Sequence, residues 1–103
     1  MTLHFQYVHM PPSESLSEIV TRNLRKLSHK YQFIMRGEVT FKLGKGHDGN
    51  DKICEIGLSA PGPRLFAKSN SDNFEKAAAE TLSDIERQLR KRKEKLLRRK
   101  KTI

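Results

Sequence analysis

Cysteine occurs once in this 103-residue chain, as Cys54, and tryptophan does not occur at all. A lone cysteine excludes an intramolecular disulfide, so packing and hydrogen bonding must hold the fold. The four histidines, His4, His9, His29 and His47, show no paired-ligand spacing, and no second thiol accompanies Cys54. A metal site is therefore not expected, and neither is any other cofactor. No apolar run approaches the roughly 20 residues that cross a bilayer. The first dozen residues lack the apolar centre of a secretory signal. These absences lead to the expectation of a soluble, cytoplasmic protein with no membrane partner.

Catalytic patterns are missing as well. Gly44, Lys45 and Gly46 suggest a phosphate loop, but that loop needs Gly-Lys-Ser/Thr opening a helix, and here a strand follows. A calcium loop beginning at Asp48 would need glycine at its sixth position, which is Ile53. No serine sits in a G-x-S-x-G elbow. Cys54 alternates with apolar residues on a strand and reads as core. The chain is thus expected not to be an enzyme and to have no small-molecule substrate.

What the sequence does have is charge, unevenly placed. From Met1 to Glu86 there are 11 Lys/Arg and 11 Asp/Glu; from Arg87 to Lys101 there are 10 Lys/Arg against the single acid Glu94. The whole formal excess of +9 therefore lies in one C-terminal stretch. A focused basic segment of this kind is the electrostatic footprint of a polyanion-binding protein.

Two periodicities organise the rest. Leu3, Phe5 and Tyr7 alternate with polar residues and predict a first strand, stopped by Met10-Pro11-Pro12. Ser13 reads as the N-cap of a helix whose apolar stripe is Leu16, Ile19, Val20, Leu24, Leu27 and Tyr31. Arg36-Gly37 reads as the end of the connection that follows. Alternation returns over 38–43, with Val39, Phe41 and Leu43 inward. It returns again over 52–60, with Cys54, Ile56, Leu58 and Ala60 inward, and over 64–69. Gly44 to Asn50 and Pro61-Gly62-Pro63 supply the turns. Ser71 or Asp72 is the expected cap of a second helix, with its seam at Phe74, Ala77, Ala78, Leu82, Ile85 and Leu89. Beyond Leu89 the seam meets Arg92 and Lys93, so the helix is expected to leave the domain there.

The order predicts an α+β domain, β-α-β-β-β-α, with both helices packed on one face of a four-stranded sheet. A right-handed crossover would make the first two strands parallel. Thr40, Lys42 and Glu55 would lie on the far, water-facing side. The expected single domain spans 1–96, with a basic tail over 97–103.

On the helical wheel Arg22, Arg25, Lys26, His29 and Lys30 fall away from the first helix's apolar stripe. Arg87, Arg90, Lys91 and the residues beyond would adjoin them on the second. Such a surface suits the phosphates of a structured RNA, whose deep major groove hides base edges. Phe66 is the one candidate for base stacking, with a packing role as the alternative.

The string Ile85-Glu86-Arg87-Gln88-Leu89-Arg90-Lys91-Arg92-Lys93-Glu94-Lys95-Leu96 resembles the end of the ribosome hibernation promoting factor and ribosome-associated translation inhibitor family. Leu3 and Phe5, the cap at Ser13, Leu16, Val20 and the Lys26-Leu27 pair are also similar to it. One departure is Asn73-Phe74-Glu75, where the family often has Asp-Met-Tyr. The resemblance covers about residues 1–96 and implies a fold like that of double-stranded-RNA-binding domains. It implies binding to the small ribosomal subunit and its rRNA in the mRNA and tRNA channel of the 70S ribosome. Translation would be inhibited and ribosomes stored in stress or stationary phase. By position it carries over Lys26, Arg87, Lys91, Lys93 and Lys95 as RNA contacts; Arg22, Arg25, Lys30, Arg90 and Arg92 are added from the wheel. The chain ends without the extra domain of long members, so a short, monomeric form is expected. The alternative is a general structured-RNA-binding protein without a fixed ribosomal site.

Overall fold

A computed structural model of the chain describes residues 1–46 and 51–101, with side chains to Arg99. The expected turn residues His47, Asp48, Gly49 and Asn50, and the last two residues of the expected tail, lie outside the described residues. The elements are β1 (Thr2–Val8), α1 (Glu14–Lys30), β2 (Arg36–Leu43), β3 (Lys52–Ser59), β4 (Leu65–Ser71) and α2 (Phe74–Lys101).

The sheet order is β1-β2-β3-β4. The helical crossover returns β2 parallel to β1, and the two hairpins make the remaining pairs antiparallel. Register aligns like with like: Phe5 faces Val39, Val39 faces Ile56 and Ile56 faces Ala67, one apolar row across all four strands. Because side chains alternate along a strand, a one-residue slip would turn this row to water.

Leu16, Val20, Leu24 and Leu27 of α1 join Ala77, Ala78, Ile85 and Leu89 of α2 in one cluster with the sheet's inward residues. Both helices therefore cover the same face. Phe41 is fully buried at its centre, stacked on Tyr7 at 5.7 Å and edge-on to Phe74 at 5.9 Å. The Tyr7 hydroxyl donates to the Ser13 carbonyl at 2.8 Å, tying β1 to the start of α1. Ile19 and Leu82, read as stripe residues, are only half-buried. Thr81 is fully buried instead, its hydroxyl 2.8 Å from the Ala77 carbonyl and 3.1 Å from that of Cys54.

Ser13 caps α1 as expected, its hydroxyl accepting from the Leu16 N–H at 3.3 Å. The second cap differs from expectation. Asn73 fills it, its side-chain oxygen accepting from the Lys76 N–H at 2.7 Å. Ser71 is not available because β4 runs through it and buries it, and Asp72 accepts from the Ser71 hydroxyl. Arg36 and Gly37 likewise belong to β2 rather than to the connection before it.

The far face of the sheet is paired rather than bare. Lys68 lies 3.8 Å from Glu55, and Arg64 lies 3.9 Å from Glu38. Arg64 reaches Glu38 by lying flat over Gly57, where a Cβ would collide with its guanidinium. Phe66, 45% exposed, sits beside it with the guanidinium carbon 5.7 Å from the ring centre.

Candidate nucleic-acid interface

The helices lie side by side and run in the same direction. Lys30, at the end of α1, lies 3.9 Å from Glu86, and Lys93, one to two turns further along α2, stands over the ring of Tyr31. Acidic residues gather at the two N-terminal ends, Glu14 and Glu18 on α1 with Glu75 and Glu80 on α2. Cations gather at the two C-terminal ends. This matches the helix dipoles, whose negative ends favour Lys and Arg by about 0.3–1 kcal/mol each at exposed sites. The layer is thus graded, and its basic pole is shared by both helices.

Nine of the ten residues singled out from the sequence are exposed: Arg22, Arg25, Lys26 and Lys30 on α1, and Arg87, Arg90, Lys91, Lys93 and Lys95 on α2. Three have local partners. Arg87 bonds Asp84 one turn back at 2.9 Å. Lys30 and Lys93 converge on the buried Tyr31 ring from the two helices, at 5.5 and 5.7 Å from its centre. The residue that caps α1 thereby joins, through its ring, the two basic stretches into one surface. Exposed ion pairs of this kind contribute little, about 0–1 kcal/mol, and leave the cations available to a stronger anion.

Arg92 departs from its expected place in solvent. It is half-buried, and its guanidinium donates to the carbonyls of Pro61 and Pro63 at 2.5 and 2.8 Å. The turn between β3 and β4 bends around it, with Gly62 at φ +96° beneath. The helix therefore does not leave the domain at Leu89. It stays attached through Arg92 and Lys93, and Leu96 is still half-buried.

Gln88 was not singled out and has a defined task. Its amide donates to the Phe66 carbonyl at 2.8 Å and accepts from the Phe66 N–H at 3.3 Å. It thus satisfies the outer edge of β4 as a neighbouring strand would. An edge left bare is a template for unwanted pairing.

Between the helices runs a cleft of about 400 Å³, walled by Ile19, Leu27, Ala79 and Leu82 and edged by Asn23 and Glu86. Among the described residues no group of three or more His, Cys, Asp or Glu is placed to hold a metal ion. Among them too, no helix is long and apolar enough to cross a membrane.

A family model described as Sigma 54 modulation protein / S30EA ribosomal protein matches residues 3–97. Among solved structures the chain is similar to a ribosomal subunit interface protein from Coxiella burnetii. The TM-score is 0.80 at 22% identity, over 90% of this chain and 98% of that one. It is also similar to the N-terminal domain of Protein Y from Thermus thermophilus, with a TM-score of 0.73 at 16% identity, over 88% of this chain and 98% of that one. At these identities the likeness establishes a common fold. No curated protein matches in sequence.

Proposed function

Because this chain belongs to the Sigma 54 modulation protein / S30EA ribosomal protein family, whose members are non-enzymatic ribosome-associated factors, we propose that it acts by occupying the small ribosomal subunit. It binds rRNA in the channel used by mRNA and tRNA, inhibits translation, and holds ribosomes inactive in stress or stationary phase. It acts as a monomer in the cytoplasm. The convergence of Lys30 and Lys93 on Tyr31 carries this reading. It merges the cations of two helices into one fixed surface, as recognition of RNA shape and phosphate spacing requires. The contacts are assigned to Arg22, Arg25, Lys26 and Lys30 of α1 and to Arg87, Arg90, Lys91, Lys93 and Lys95 of α2. Arg92 serves by anchoring the helix that presents them.

Sedimentation of the full chain with separated ribosomal subunits at near-physiological salt tests this. The expected result is saturable one-to-one pelleting with the small subunit, displaced by mRNA and tRNA. Non-saturating pelleting with both subunits alike would replace this reading with that of a general structured-RNA-binding protein.

A further inference from the structure

We propose that the cleft between α1 and α2 receives a single unstacked guanine base of the bound RNA. This rests on the reading of the helical layer as an RNA-binding surface and adds a base-specific site to it.

The cleft has two kinds of surface. Its walls are aliphatic: Ile19 and Leu27 from α1, Ala79 and Leu82 from α2. Its volume of about 400 Å³ falls within the range of small-molecule sites, about 300–1,000 Å³. Aliphatic walls suit the flat face of a heterocycle. The polar groups that line it are Asn23, Lys26, Glu75, Ser83 and Glu86, three of which carry a side-chain carbonyl or carboxylate acceptor. Asn23 is held in one orientation, its amide nitrogen donating to the Ile19 carbonyl at 2.8 Å, and its oxygen remains an acceptor. Glu86 adds a carboxylate, held only loosely by Lys30 at 3.9 Å.

A neutral base presenting donors fits this arrangement, and a phosphate does not. Guanine offers two adjacent donors on its Watson–Crick edge, the ring N–H and the amino group, and a carboxylate accepts two parallel donors. Uracil offers one N–H between two carbonyls, which a carboxylate repels. The phosphates flanking such a base would fall on the rim, where Lys26 lines the cleft and Arg22 and Lys30 are exposed nearby on α1. Half-buried acceptors at Asn23 and Glu86, with exposed cations beside them, match a nucleotide turned base-inward. RNA-binding proteins read sequence from unstacked bases of this kind, through the Watson–Crick edge.

The test measures binding of the full chain to short single-stranded RNAs that differ only in a central G, inosine, A or U, at low salt. The chain is expected to prefer G over U on the order of tenfold, with inosine, which lacks the amino group, between them. Glu86→Gln keeps the shape of the side chain and should abolish the preference. Ala79→Leu fills the cleft from an exposed helical position and should do the same. Arg87→Glu should weaken all four RNAs equally. Absence of a base preference in the unaltered chain, or its survival in Ala79→Leu, overturns the proposal. Competition by an arginine-rich peptide without any base preference also overturns it, since the occupant would then be cationic. Saturable small-subunit binding without base preference would sink the guanine site alone. Base preference without subunit binding would sink the ribosomal reading alone.

Discussion

Arg92 spans the backbone of Gly62, its guanidinium bonded to the carbonyl on either side of that residue. Gly62 has φ +96°, and a Cβ there would stand 2.9 Å from the guanidinium. Each residue thus needs the other: the glycine supplies a conformation and a clearance, the arginine holds the turn closed. Arg92→Met should lower stability by about 1.5 kcal/mol, the lower end for a charge-assisted bond because the site is open to water. Gly62→Ala should cost about 1–3 kcal/mol through strain at positive φ. In denaturant titrations the double variant should be less destabilised than the sum of the single ones. Strict additivity would mean that the two do not act together.

Gln88 occupies the edge of β4 with a side chain that both donates and accepts. Gln88→Glu can still accept from the Phe66 N–H but cannot donate to its carbonyl, whereas Gln88→Leu does neither. Stability should fall in that order, by roughly 0.5–1.5 kcal/mol for each bond lost. Hydrogen exchange at the Phe66 amide should quicken in Gln88→Leu far more than in Gln88→Glu. Equal protection in both would show that water serves the edge as well as Gln88 does.

Lys26 is exposed, and Arg87, also exposed, bonds Asp84 at 2.9 Å. Reversing either charge should weaken small-subunit binding about tenfold or more while moving stability by no more than about 0.5 kcal/mol. Affinity of the unaltered chain should fall about a thousandfold or more between 50 and 200 mM salt, as expected for some 6–10 phosphate contacts. Filter binding across a salt series reads both effects. A flat salt response would remove the basic pole from the interface.

Cys54 is fully buried, and burial pushes its thiol from 9.0 up to about 12, with Thr81 opposing and Glu55 adding to the rise. Below pH 9 the thiol is neutral in folded and unfolded chains alike. Between about 9 and 12 only the unfolded chain ionises there, so this contribution to stability is lost as pH rises, at no more than about 1.4 kcal/mol per unit. A Cys54→Ala chain should lose stability less steeply over that window. At neutral pH an alkylating reagent should modify Cys54 no faster than the chain opens, and rapid labelling of the native protein would contradict its burial.

The fold was legible because its signals are local. Leu3-Phe5-Tyr7 and Val39-Phe41 alternate, Leu16-Val20-Leu24-Leu27 repeat at helical spacing, and both patterns survive folding intact. The second cap was misplaced because β4 and α2 compete for Ser71, and strand pairing with Lys52 decides the matter. Arg92 and Gln88 were opaque for a different reason. Their partners lie 29 to 31 and 22 residues away, and no local pattern distinguishes an arginine that will bond a turn from one that will face solvent. The cleft was hidden similarly, since Ile19 and Leu82 read as core until the spacing of the two helices leaves them only half-buried.

The contact at Pro61 and Pro63 also makes a fulcrum of the β3–β4 turn. Seven residues separate Arg92 from Arg99, about 10 Å of helix at 1.5 Å per residue. A swing of about ten degrees at the turn would carry the backbone of Arg99 sideways by nearly 2 Å over that arm. That is enough to separate a donor from its acceptor. The direction of the far end of α2 is therefore set by a joint seven residues behind it, and the tightness of that joint determines how far the rod can swing.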